Sequence, residues 1–380
     1  MLALCFGAFL CFGMVLVLIG ANQPGLEAEL GLDLAGSGLL VSALSAGLGV
    51  GVVAAGPLFD RFPRRPLFTG STLLAGVALI GVEPGMPFTR WLLHAALFGL
   101  GIGLYDTLIN AVVVQRYGER AARPMIVLHA AATLGAVLAP LGAEWIAARA
   151  HYTASFVWVG WAHVAVSAWA LCVPLPAPPQ AGPAGPARQR ALDFAPLLPL
   201  AAVAFCYVGV EAAATVFAVP YATGGLGLAA HRGQLGISAF WLGLLAGRLG
   251  VLALRGELAE RVLVVAGLAA AAVLAAGAGL ALGPLELLLG VFGLALGSVY
   301  PVMIALAGQS VPDARGTAAG LAAGAGALGG FFVPWLTGAL GDALGVRLGF
   351  ASLALWCAAM AAAAWVAARA TSRSRLGSMP

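Results

Sequence analysis

Asp106 and Glu211 are the two acids that sit deep inside long apolar runs of this chain. Asn110 shares the face of Asp106 one helical turn on, and Gly99 and Gly103 extend the same stripe at helical spacing. That stripe is small and polar, while its flanks are Leu, Ile and Val. Glu211 has Tyr207 and Thr215 one turn to either side. A carboxylate left in hydrocarbon is expensive, whereas one facing an aqueous cavity is tolerated. There it can take up and release a proton, or hydrogen-bond a polar ligand. The plainer alternative is an acid bonded between helices for structural reasons. Asn22, Gln23, Tyr105, Tyr207, Trp241 and Tyr300 are further candidates to line such a cavity, with Trp241 able to stack on a sugar ring. Arg248 also lies inside an apolar run, where snorkelling to the interface is expected and an inter-helix ion pair is the alternative. His129 and His163 are read as structural.

The elements that must position these residues follow from composition. The 380 residues are 62% hydrophobic and 9% charged, with a mean hydropathy of +1.00. Apolar stretches of about 20 residues, each enough to cross about 30 Å of hydrocarbon, follow one another almost without relief. Lipid offers no hydrogen bonds to the backbone, so the segments must be helices or a closed barrel. Runs such as 262–282 do not alternate as barrel strands would, which leaves helices. The spacing predicts about twelve spans: 2–22, 37–58, 66–82, 90–116, 124–148 and 153–173, then 196–222, 234–253, 261–281, 284–309, 316–341 and 347–368. The expected fold is an all-α membrane protein of two pseudo-symmetric six-helix bundles. They cover 1–173 and 196–370, joined by a Pro/Ala/Gly-rich cytoplasmic linker at 174–195 and followed by a polar, disordered cytoplasmic tail at 371–380.

A repeat supports the two bundles. Pro24, Gly31, Ser42 and Gly47 recur 196 residues later as Pro220, Gly227, Ser238 and Gly243. Gly99, Gly103, Gly135 and Pro140 recur 194 residues later as Gly293, Gly297, Gly329 and Pro334. Tyr300 occupies the repeat position of Asp106. Parallel duplication within a membrane chain belongs mostly to carriers. Orientation follows from the arginines, since the chain has no lysine. About fourteen lie on one side and four, Arg90, Arg149, Arg232 and Arg347, on the other. The rich side is expected to be cytoplasmic, with both termini there, in an inner (plasma) membrane. The first run has no basic flank and no convincing cleavage site, so it is expected to be a retained span. The five cysteines fall in apolar runs without metal-like spacing and read as small hydrophobes. No nucleotide-binding motif, metal cluster or nucleophile triad is present, and no cofactor or enzymatic activity is expected.

The loop after the second span reads Gly56-Pro57-Leu58-Phe59-Asp60-Arg61-Phe62-Pro63-Arg64-Arg65. It resembles the G-x-L-x-D-R-x-G-R-R/K motif of the major facilitator superfamily, with Pro63 replacing the second glycine. The resemblance implies a gate in which Asp60, with Arg61, Arg64 and Arg65 beside it, docks on the other bundle near Arg315, where a helix N-terminus is positive. A solvated cluster that only sets orientation is the alternative. Asp106-Thr107-Leu108-Ile109-Asn110 is similar to the acid-T-x-x-N pattern of the fucose/glucose–proton symporter branch, which implies proton coupling at Asp106. Phe205 to Glu211, Phe240-Trp241 and Gly247-Arg248 look like the same branch. The first-helix acid of its fucose carriers corresponds here to Gly20. Gly135 to Gly142 resembles the helix-five motif of superfamily antiporters, with Ala139 in place of a glycine. The expected function is alternating-access transport of a small polar solute, sugar-like, in symport with a proton. Efflux of amphipathic compounds and a non-transporting receptor are the alternatives. The expected partners are that solute, the proton and the lipid bilayer, without nucleic acid, and the chain is expected to act as a monomer.

Overall fold

The computed structural model describes residues 1–118, 122–175, 195–251, 259–280, 284–311 and 315–377. Those residues are mostly helical, joined by short turns, and contain no strand. The first half holds α1 (Leu2–Ala21), α2 (Gln23–Leu30), α3 (Leu34–Arg61), α4 (Arg64–Ile80), α5 (Phe88–Tyr117), α6 (Ala122–Ala147) and α7 (Ala154–Cys172). The second holds α8 (Leu198–Pro220), α9 (Ala230–Val251), α10 (Ala259–Leu280), α11 (Leu285–Leu296), α12 (Val299–Ser310), α13 (Arg315–Leu344), α14 (Val346–Ala351) and α15 (Leu353–Gly377). Nine segments among the described residues are long and apolar enough to cross a membrane. α4, α9 and α10 complete the twelve, and the chain is a multi-pass membrane protein of two six-span bundles.

Three local differences from the sequence expectation have simple causes. The short α2 is an added eight-residue helix, opened by Pro24 in its first turn and stopped by Gly31 at φ 60°, a left-handed conformation that glycine adopts freely. The tenth span breaks at Gly297 and Ser298 into α11 and α12, because Pro301, in the first turn of α12, cannot donate to the carbonyl of Gly297. The tail is helical from Thr371 to Gly377 as the end of α15, not disordered. Nearly all of the linker expected at 174–195 lies outside the described residues.

The repeated residues recur because they do the same work in each half. Gly47 and Gly51 on α3 face the Ala96 and Leu100 carbonyls of α5, while Gly99 and Gly103 on α5 face the Leu44 and Leu48 carbonyls of α3. In the second half Gly243 and Gly247 on α9 face the Gly290 and Leu294 carbonyls, and Gly293 and Gly297 face those of Phe240 and Leu244. Small residues substitute here for the hydrophobic drive that lipid does not supply. Gly135 faces the Leu10 carbonyl of α1, as Gly329 faces that of Phe205 on α8. A methyl group at Gly99 would lie 2.2 Å from the Leu44 oxygen. Gly99→Val should therefore force α3 and α5 apart at a cost of about 1–3 kcal/mol or more. A lower apparent unfolding temperature would show this, with Gly70→Ala unaffected because nothing lies within 4 Å of that position.

The bundles meet along two symmetric seams, α3 with α13 and α6 with α9. At the arginine-poor end the first seam is tight. The Leu34 and Ala35 amides donate to Asp342 Oδ1 and Oδ2 at 2.9 and 2.8 Å. Gly338 faces the Leu34 carbonyl, Gly38 that of Pro334, and Gly49 the Ala327 methyl. Further along the same stripe, Gly56 on α3 and Gly320 and Gly324 on α13 face open space. The halves thus close at the arginine-poor end and part toward the arginine-rich one.

Candidate functional site

Polar groups from both bundles converge where the halves begin to part. Asp106 projects from α5, half-buried, and accepts a hydrogen bond from Asn110 Nδ2 at 3.1 Å. On the other bundle Tyr300, of α12, packs against Tyr207 of α8. Tyr207 stacks obliquely on Tyr300, with ring centroids 5.8 Å apart, and its hydroxyl donates to Glu211 Oε1 at 2.9 Å.

Arg248 organises the second half of the site. Its Nη2 donates to Glu211 Oε1 at 3.4 Å and to the Tyr207 hydroxyl at 3.3 Å. Its Nη1 reaches across the seam to Thr133 Oγ1 of α6 at 2.7 Å. The ion pair is largely but not fully buried, with side-chain exposures of 17% for Arg248 and 15% for Glu211. Arg248 therefore does not snorkel outward. A lone cation one span away from a lone acid was a usable signal for this pair, because unpaired charges at membrane depth are too costly to keep. Thr133 carried no such signal.

The two acids are not equivalent. Protonating Glu211 would leave a guanidinium uncompensated, so this acid is held as a counter-ion. Asp106 has an amide for its partner and can change charge without stranding a cation. Asn110 Oδ1, beside it, is buried without a hydrogen-bond partner.

Other expected site residues lie elsewhere. Tyr105 is fully buried within the first bundle, its hydroxyl 3.2 Å from His163 Nε2 and donating to the Ala8 carbonyl at 3.3 Å. It packs on Phe12 and Phe68, so it is core and not cavity. Trp241 is 3% exposed, edge-on to Phe240, and its Nε1 donates to Thr215 Oγ1 at 3.2 Å. The Thr215 hydroxyl in turn donates to the Glu211 carbonyl at 2.8 Å, so Trp241 braces the α8 turn that carries the acid. Asn22 and Gln23 are buried at the closed end, Asn22 donating to the Leu18 carbonyl at 2.8 Å. Both polar atoms of the Gln23 amide are buried without a partner there.

In the loop expected to gate, Arg61 is exposed and Arg64 is buried, its Nη1 donating to Gln115 Oε1 of α5. Arg65 donates to the Val173 carbonyl at the end of α7, at 3.3 Å. Those two bonds tie α4 within its own bundle. The side chains of Asp60 and Arg315 lie outside the described residues.

The serines of the repeat stitch the seams. Ser238 Oγ donates to the Val137 carbonyl at 2.8 Å, and Ser42 Oγ to that of Phe331. Each acceptor stands three residues before a helix proline, Pro140 or Pro334, next to the carbonyl, of Ala136 or Gly330, that the proline leaves without its helical donor. The carboxylate of Asp342 on the first amides of α3 is a further tie between bundles that sequence reasoning missed, since only the folded chain brings 34 and 342 together.

Two pseudo-symmetric membrane bundles with one polar cluster between them, closed at one end, have the architecture of the carrier folds built from parallel repeats. The profile of the Major Facilitator Superfamily matches residues 4–290, and the chain belongs to that family. Sodium-dependent glucose transporter 1A of Mus musculus is 26% identical over 139 residues, 37% of this chain and 33% of that protein. The 4-hydroxybenzoate transporter PcaK of Pseudomonas putida is 32% identical over 100 residues, 26% of this chain and 22% of that one. These matches therefore span a third or less of the relatives' length. The inward-open xylose transporter XylE from E. coli shares the fold with a TM-score of 0.78 at 13% identity, over 96% of this chain and 95% of that one. A bacterial homologue of the human lysosomal transporter Spinster, inward-facing and occupied, gives 0.70 at 16%, over 97% and 96%.

Proposed function

We propose that the protein carries a small polar, sugar-like solute in symport with protons by alternating access, binding it between Asp106 and Asn110 on one bundle and Tyr300 and Tyr207 on the other. The observation that carries this reading is the unequal setting of the two acids. Asp106 is free to change charge, and Glu211 is committed to Arg248. A proton drives the cycle only if the two conformations differ in affinity for it, which an acid lying where the bundles part allows. Relatives named as glucose and xylose transporters favour a sugar-like solute.

With the arginine-rich end cytoplasmic, the conformation described is inward-facing, both termini are inside, and the membrane is the plasma membrane. The monomer suffices, because both halves of the site come from one chain. The Asp60 loop is proposed to latch the inner end in the opposite state. Asp342 is the matching latch for the outer end, where a carboxylate on a helix N-terminus stabilises by about 0.5–2 kcal/mol. Asp342→Ala should then favour outer opening by about twofold to thirtyfold. The measurement is labelling of Ser45→Cys, in a background lacking the native cysteines, by an impermeant maleimide added outside. Unchanged labelling would remove Asp342 from the gate.

A second reading, a solute bearing a carboxylate, is favoured by one observation: Arg248 Nε is buried without a hydrogen-bond partner. The relative named as a 4-hydroxybenzoate transporter points the same way. Solute-dependent proton flux in proteoliposomes decides between them, using hexoses, pentoses, aromatic carboxylates and lipophilic cations. The symport reading expects proton entry with a sugar. Entry with a carboxylate alone favours the second reading, and proton exchange against a lipophilic cation would overturn both in favour of efflux. Flux that follows sodium and not protons would overturn the proposed coupling.

A further inference from the structure

The outer face of the second bundle carries a groove of about 340 Å³ between the first turns of α10 and the end of α15. It is lined by Arg261, Val264, Val265, Trp365, Ala368 and Arg369. Both arginines and Val265 and Trp365 are exposed. Arg369 lies over the ring of Trp365, its Cζ 3.5 Å from the ring centroid. A guanidinium held over a ring face by cation–π attraction still has N–H donors to offer, and Arg369 is exposed. Arg261 faces it from the neighbouring helix, and the valines continue the groove toward the membrane interior. Among the described lining residues there is no acid.

In a membrane-spanning chain the medium against such a face is lipid, so only the headgroup remains to be specified. Two guanidinia beside an interfacial tryptophan sit at the depth of lipid phosphates. We propose that this groove is a binding site for an anionic phospholipid, its phosphate held between Arg261 and Arg369 and an acyl chain laid over Val264, Val265 and Trp365. A zwitterionic headgroup fits less well, because its own ammonium cancels the charge that the arginines read. None of these residues belongs to the transport site, so the proposal stands apart from the substrate reading.

Native mass spectrometry of the detergent-purified protein, loaded with equal phosphatidylglycerol and phosphatidylcholine, tests it. Wild type should retain phosphatidylglycerol in preference. Arg261→Gln with Arg369→Gln should lose that preference by about thirtyfold, from roughly fivefold per arginine. Val265→Trp, which fills the apolar floor and keeps both charges, should also weaken retention, with size-exclusion profiles confirming folded protein. Equal retention of the two lipids, or a preference unchanged in the double variant, would overturn the site. Displacement of phosphatidylglycerol by inorganic phosphate alone at equal concentration would also overturn it, in favour of a simple anion site.

Discussion

Asp106→Asn should collapse solute accumulation to a ratio of about one while leaving counterflow exchange partly intact. The size of the effect follows from the driving force. One charge moved across 100 mV releases about 2.3 kcal/mol, and tenfold accumulation takes about 1.4 kcal/mol. A one-proton symporter of a neutral solute can therefore concentrate it by about fiftyfold at that potential. Asparagine keeps the shape of Asp106 and its contact with Asn110, 3.1 Å away, but never changes charge, so protons no longer bias the two conformations. Radiolabelled uptake with and without an imposed potential, and counterflow in the same vesicles, measure both quantities. Equal loss of the two would make Asp106 a substrate-binding or folding residue instead. Retained accumulation would move the coupling to another group.

The second large effect is expected at the ion pair. Arg248→Gln strands Glu211, and Glu211→Gln strands Arg248, each largely buried. Removing one partner of a buried pair costs about 3–5 kcal/mol, and the exposures of 15% and 17% place these below that range, at about 2–3 kcal/mol. The double substitution should recover much of the loss, because two neutral side chains leave no charge uncompensated. Thermal unfolding of the four proteins in one detergent reads the cycle. Additive losses would mean that the pair contributes nothing as a pair. Thr133→Val removes the cross-seam bond at 2.7 Å and leaves a largely buried guanidinium donor without that acceptor, so it should cost about 1–3 kcal/mol of stability as well as altering the transport rate.

The two tests separate functions that the sequence presents as alike. Asp106 and Glu211 are each a single acid in an apolar run, and from spacing alone both qualify for coupling. What distinguishes them is Arg248, which lies 37 residues from Glu211 and reaches it only through the packing of α8 on α9. The same limit explains Tyr105 and Trp241. An aromatic beside a polar stripe reads as cavity-lining, yet one helical position decides whether the ring turns into its own bundle. Tyr105 turns toward His163 and Ala8, and Trp241 toward Thr215. Asp342 was invisible for a different reason. A carboxylate at a span end is ordinary until the first amides of another helix are brought against it.

The sequence by itself determined the spans, the two halves and the family. Hydrocarbon thickness sets the length of every apolar run, and the offsets of 196 and 194 carry the duplication. The repeat also carried Gly47, Gly99 and Gly103 and their copies Gly243, Gly293 and Gly297, which the structure places in the α3–α5 and α9–α11 contacts, where close helix approach in lipid requires small residues. Only the tertiary structure decided which charges pair, which aromatics face the cavity, and which end of the molecule is closed. Those outcomes depend on how helices distant in sequence rotate and tilt against each other. A periodic pattern specifies a helix face but not the partner it meets. Gly56 and Gly338 are equally small glycines on the same seam; one faces open space and the other the Leu34 carbonyl, because the two bundles lean together at one end and part at the other.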